Sequence, residues 1–136
     1  IGNDAIDFSG SIANLKSIDF NNVGDKIISA GENSYIKIID LNGKESFLGI
    51  ASKDGSIVNL EDINLKNVKI GLASYIKKSE YQRGKISAKR VKIEESIINY
   101  LKDNKSKIFI DNIEKKKFTK KIIPIIYNKE INLIAK

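Results

Sequence analysis

The feature that most constrains this chain is a repeat. Ile6, Ile28, Ile50 and Leu72 stand 22 residues apart, and Tyr100 follows after a longer gap. Other apolar columns keep step with that anchor. They are Ala13, Ile36, Val58, Ile86 and Ile108; Leu15, Ile38, Leu60, Ala88 and Ile110; Ile18, Leu41, Ile63, Val91 and Ile113; and Phe20, Gly43, Leu65 and Ile93, the last breaking at Lys115. Within a unit the apolar residues come two apart, as in VNLEDINLKNV over residues 58–68. That is the period of a strand with one buried face. Turn residues punctuate the units at Gly10-Ser11, Asn33-Ser34, Gly55-Ser56 and Asn104-Lys105-Ser106. A single unit cannot bury its own apolar side, but units stacked at about 4.7–4.9 Å can. The expected fold is all-β: a right-handed, single-stranded parallel β-helix of about five coils. Leucine-rich and helical ankyrin-like repeats are set aside, because neither their sequence pattern nor a 3.6-residue period is present.

This pattern divides the chain into coils over residues 1–114 and a C-terminal capping segment over residues 115–136. The fourth coil is longer than the third, with its extra length in SYIKKSEYQRG, residues 74–84. The tail opens with Lys115, Lys116 and Lys117 and carries the only proline, Pro124, which suits an edge or a turn. A stacked sheet needs its open end covered, and the tail is expected to do this. Ile1 aligns with Val23 in mid-coil, so further coils or another domain of a larger parent are expected upstream.

The chain has neither Cys nor His. Disulfides, thiolate or imidazole metal sites, Ser-His-Asp triads and a histidine base are thereby excluded. No stretch reaches the roughly 20 apolar residues of a membrane-spanning helix. The net charge of +7 is uneven: residues 1–64 hold five Lys against ten Asp and Glu, whereas the remainder holds nineteen Lys and Arg against seven. A basic half can meet an anionic partner. Nucleic acid is disfavoured, since no aromatic platform or binding motif accompanies the lysines.

Polar residues follow the anchor column in each unit. They are Asp4 and Asp7; Asp25, Lys26 and Glu32; Lys53 and Asp54; and Tyr75, Lys77, Lys78, Glu80 and Tyr81. Stacking should gather them along one edge of the solenoid, overhung by the long fourth-coil loop. The mixture suits a sugar polymer, with tyrosine rings as flat platforms and charged groups hydrogen-bonding hydroxyls or pairing with uronates. Paired carboxylates such as Asp4 and Asp7 leave glycoside hydrolysis open, and Lys53 or Lys78 would be the base of a lyase. No cofactor is expected. Calcium stays open because it takes clustered carboxylates, although DLNGKE over residues 40–45 lacks the spacing of an EF-hand.

The segments NDAIDFSGS, GDKIISAGENS, GIASKDGS and GLASYIKKSEY resemble bacterial right-handed parallel β-helix modules of the pectate-lyase-like fold. Such modules occur at the C-terminus of CotH-like kinase proteins and of surface-polysaccharide-associated proteins. The resemblance covers roughly residues 3–113. It implies the β-helix fold and maps Asp4, Asp7, Asp25, Lys26, Glu32, Lys53, Asp54, Lys78 and Glu80 onto the family's polar edge. Kinase motifs and those of a calcium-dependent pectate lyase are absent from the chain. The expected function is docking on carbohydrate without turnover. Polysaccharide cleavage along the same edge and a purely structural role are the alternatives.

Overall fold

In the computed structural model, which describes residues 3–135, the chain winds as a parallel β-solenoid of about five turns. Its strands are β1 (Ile6–Ser9), β2 (Ile12–Asn21), β3 (Lys26–Gly31), β4 (Tyr35–Lys53), β5 (Ile57–Tyr75), β6 (Lys85–Glu94), β7 (Ile98–Lys102), β8 (Lys107–Ile110) and β9 (Ile113–Glu114). The expected columns are register partners. Ile6 pairs with Ile28, Ile28 with Ile50, Ile50 with Leu72, and Leu72 with Tyr100. The same holds for the columns through Ile36, Ile38, Leu41 and Gly43 as far as the fourth coil.

Three corners give each coil three flat faces. At one corner a single residue per coil turns the chain in the left-handed region: Ser17, Asp40, Asp62 and Arg90. At the next, Asn22, Glu45, Asn67 and Glu95 do the same. Asn, Asp and Ser tolerate this conformation because short polar side chains bond locally. The third corner is held by stacked serines. The Ser11 N–H donates to Ser34 Oγ and the Ser34 N–H to Ser56 Oγ, both at 3.1 Å. Ser34, Ser56 and Ser106 are almost wholly buried there. Face A holds β1, β3, the ends of β4 and β5, and β7. Face B holds residues 12–16, 35–39, 57–61, 85–89 and 107–110. Face C holds residues 18–21, 41–44, 63–66 and 91–94.

The interior is filled by complementary sizes in adjacent columns. Ile27 lies in the second coil opposite Gly43, whereas the third coil sets Gly49 against Leu65 and the fourth Gly71 against Ile93. A Cβ at Gly71 would stand 2.6 Å from the Asn99 carbonyl oxygen and 2.7 Å from Ile93 Cδ1. Only glycine allows coils to approach so closely there.

The chain leaves the repeat earlier than its columns suggest. At Asp111 and Asn112, both left-handed, it reverses, and β9 pairs antiparallel with β8, placing Ile113 opposite Ile110. Ile113 is therefore not the fifth member of its column and is 63% exposed. The tail then does two things. Its first part crosses the last coil, with the Lys115 N–H donating to the Ile108 carbonyl and the Thr119 N–H to that of Lys102. Its second part, helix α1 (Ile122–Tyr127) and a 3₁₀ turn (Ile131–Ala135), packs along the outer side of face A. There Ile122, Ile125 and Ile126 meet Leu48, Ala51, Ile70, Ala73 and Leu101, forming a second apolar core distinct from the solenoid interior. Ile1, whose alignment suggested an open start, lies outside the described residues. In the first described coil the inward residues Ile6, Phe8, Leu15 and Phe20 are only half-buried.

Candidate functional site

The expected polar residues do not share one corner: Glu32, Asp54, Lys77 and Lys78 lie between faces A and B, whereas Asp4, Asp25 and Lys26 stand at the opposite end of face A, where Lys26 is the register partner of Leu48, and much of the set is tied into the fold. Lys26 is 4% exposed, with its ammonium 3.2 Å from Asp25 and 3.8 Å from Asp4. Burial pushes the Asp4 carboxyl up, against the Lys26 charge and the Lys26 N–H that donates to it. Asp54 is fully buried. Its Oδ1 accepts the N–H groups of Lys77 and Lys78 at 2.8 and 2.9 Å, so it fixes the start of the long loop, while its Oδ2 has no protein partner.

Tyr75 was expected as an exposed platform and is instead 0% exposed. The tail covers it: Tyr127 packs edge-on with ring centroids 6.1 Å apart, and the two hydroxyls hydrogen-bond at 2.8 Å. Burial raises the Tyr75 phenol well above its ordinary value and lifts that of Tyr127 to about 12. Three ammonium groups surround the Tyr127 ring, Lys77 at 4.4 Å, Lys26 at 4.8 Å and Lys53 at 6.0 Å from the centroid. Burial lowers the Lys53 pKa, helped by the charges of Lys77 and Lys26. Lys129 closes the cluster with a 3.2 Å ion pair to Asp25.

Glu32 and Lys78 form a separate exposed ion pair at 2.7 Å, and Ser9 also donates to Glu32. The Lys78 hydrogen bond, then that of Ser9, holds the Glu32 carboxyl low. Asp7 is exposed, within electrostatic reach of Lys53. Glu80 is exposed on the loop, and Tyr81 lines a different, open cleft with Gln82, Arg83 and Lys105. Among the described residues no group of three or more carboxylates is placed to hold a metal ion. The carboxylates of Asp4, Asp25 and Glu32 face lysines, and Asp54 holds backbone through Oδ1.

The outer side of face B is arranged differently. Its strands present Tyr35 and Lys37, Asn59 and Glu61, Ser87 and Lys89, then Phe109, while the alternate residues point into the core. All seven line a shallow cleft of about 270 Å³. Tyr35 is 49% exposed, and its hydroxyl accepts a hydrogen bond from Asn59 Nδ2 at 3.2 Å. The Lys85 ammonium lies 5.6 Å from the centre of the Phe109 ring. At the rim Arg90 pairs with Asp62 at 2.6 Å and Glu61 at 3.2 Å. Following the inward columns alone passes over this strip. The signal was in the alternate positions, where Tyr35 and Phe109 occur at solvent-facing sites of the repeat.

No family model, curated protein or solved structure matches the chain.

Proposed function

We propose that this chain is a β-helix module that docks on polysaccharide without turning it over, and that face B carries the contact. The observation that carries this reading is the open strip from Tyr35 to Phe109, with amide, hydroxyl and ammonium groups between two rings. Three coil steps, about 14 Å at the usual strand spacing, and two residues along the strand separate the rings. That is room for sugar rings to lie flat, with apolar faces on the aromatics and hydroxyls toward Asn59, Ser87 and Lys37. A parallel sheet holds these groups before the ligand arrives, so little ordering is needed on binding. The edge offers less support for a hydrolase, because Asp4, Asp25, Glu32 and Asp54 are committed to a lysine or to backbone rather than left as an acid and base pair. On this reading the chain is the docking part of a larger protein, of the bacterial β-helix kind its sequence resembles.

The test is a polysaccharide array that also assays soluble products, run with the native chain, a Tyr35→Ala/Phe109→Ala variant and a Lys78→Ala/Glu80→Ala variant. Loss of binding in the first variant alone supports face B. Loss in the second alone moves the contact to the polar edge. Released oligosaccharide replaces docking with cleavage, and a chain that binds no glycan is a structural module.

A further inference from the structure

The far end of the solenoid brings two properties together. The first is positive charge. Residues 102–121 contain eight lysines against three acidic residues. All three acids are engaged: Asp103 accepts the N–H groups of Ile76 and Ser106, Asp111 that of Arg90, and Glu114 pairs with Lys107 at 3.1 Å. Among the described residues no carboxylate lies within salt-bridge distance of Lys115, Lys116, Lys117, Lys120 or Lys121.

The second property is exposed apolar surface. Ile97, Ile113 and Phe118, which are 52%, 63% and 45% exposed, all belong to the terminal coil or the strap that crosses it. Reversal at Asp111 leaves that coil without a strand on face C. The gap is an open cleft of about 440 Å³, with Ile98, Tyr100 and Ile108 among its walls and Lys115, Lys116 and Lys117 at its rim.

We propose that this end of the solenoid is a docking surface for an anionic lipid bilayer. Lysines near such a surface each add a favourable increment, and exposed Ile and Phe side chains reach the boundary between headgroups and acyl chains. A polyanion in water would satisfy the lysines but leave Ile97, Ile113 and Phe118 exposed, which is why lipid is favoured over nucleic acid. No helix among the described residues is long and apolar enough to cross a membrane, so the contact would be peripheral.

Vesicle flotation of the whole chain tests this, with phosphatidylcholine vesicles compared with vesicles that also contain phosphatidylglycerol. Binding is expected only to the anionic vesicles, weakening as salt rises. Lys115→Gln/Lys116→Gln/Lys117→Gln should reduce it by about a hundredfold, and Ile113→Ser/Phe118→Ser by roughly tenfold. Lys37→Gln/Lys89→Gln on face B should leave it unchanged, and circular dichroism checks that each variant is folded. Three results would overturn the proposal: no anionic-vesicle binding, equal binding to neutral vesicles, or duplex DNA bound with an affinity that the Ile113→Ser/Phe118→Ser variant does not alter while vesicle binding is equally unaltered. Glycan binding at face B stands or falls separately.

Discussion

Faces A and B are built by the same turns of chain in the same register, yet their outer surfaces have opposite fates. Outside face A the columns carry Ser29, Ala51, Ala73 and Leu101, beside Leu48, Ile70 and Ile98. These residues are small or apolar, and a helix can lie against them. Outside face B the columns run Ile12, Tyr35, Ile57 and Lys85, beside Lys37, Asn59, Ser87 and Phe109, a mixture of apolar, aromatic and polar groups against which no part of the tail packs. The chain's own tail closes the first surface and leaves the second open. In a solenoid the inward columns decide that a coil forms, and the outward columns decide which face the protein keeps for itself.

The sharpest way to break this contrast is to place a charge on each face in turn. Ile125 is 0% exposed between α1 and face A. Ile125→Asp should lower stability by about 3–5 kcal/mol, the range for an uncompensated buried charge, measured by urea denaturation. Ile57→Asp on face B, where Ile57 is 37% exposed, should shift stability by no more than about 0.5 kcal/mol. Equal effects would mean that α1 is not docked on face A.

A change in the shared interior should not respect the difference between the faces. Gly71→Ala forces a Cβ against the Asn99 carbonyl, which cannot move without displacing β7. It should destabilise by about 1–3 kcal/mol. Gly43→Ala meets chiefly Ile27 Cδ1 at 2.5 Å, the end of a flexible side chain. The pair Gly43→Ala/Ile27→Val should therefore recover much of what the single change loses. A double-mutant cycle checks it, and additive losses would refute the size-compensation argument.

Alkaline titration of the Tyr75–Tyr127 pair acts on face A more gently. The Tyr127 phenol has its pKa raised by burial from 10.0 to about 12, and that of Tyr75 moves in the same direction. Between pH 10 and 12 the unfolded phenol has released its proton while the docked one has kept it. Stability is thus fully present below pH 10 and falls as pH rises through that window. Tyr127→Phe should flatten the decline, with tyrosinate absorbance following the release of the tail. A decline unchanged by Tyr127→Phe would place the titrating group elsewhere.

How much of this was legible in the sequence follows from the same distinction. The inward columns repeat because every coil needs the same apolar contacts, so the fold, its register and the serine corner could all be read directly. The polar residues were legible only coil by coil: stacking sets Lys26 on Leu48 and Lys53 on Tyr75, at opposite ends of face A, and the two lysines meet only over Tyr127. The burial of Tyr75 was not, because it depends on Tyr127, 52 residues away in a segment outside the repeat. Lys129 reaches back 104 residues to Asp25 for the same reason. The reversal at Asp111 was hidden because Ile113 happens to fall in phase with a column it does not join. Face B was missed because outward positions repeat only loosely, and a platform of mixed residues leaves no period to follow.

The gentlest test separates face B as a binding surface from face B as mere exposed sheet. Tyr35 touches the fold chiefly through its backbone and the 3.2 Å hydrogen bond from Asn59. Tyr35→Ala should therefore change stability by about 0.5 kcal/mol or less. If the ring carries a sugar, the same substitution should weaken glycan binding about tenfold, as loss of a stacking partner does. Thermal unfolding and a binding isotherm on one preparation measure both. A parallel loss in the two would mark Tyr35 as part of the scaffold, and face B would then be as much the protein's own as face A.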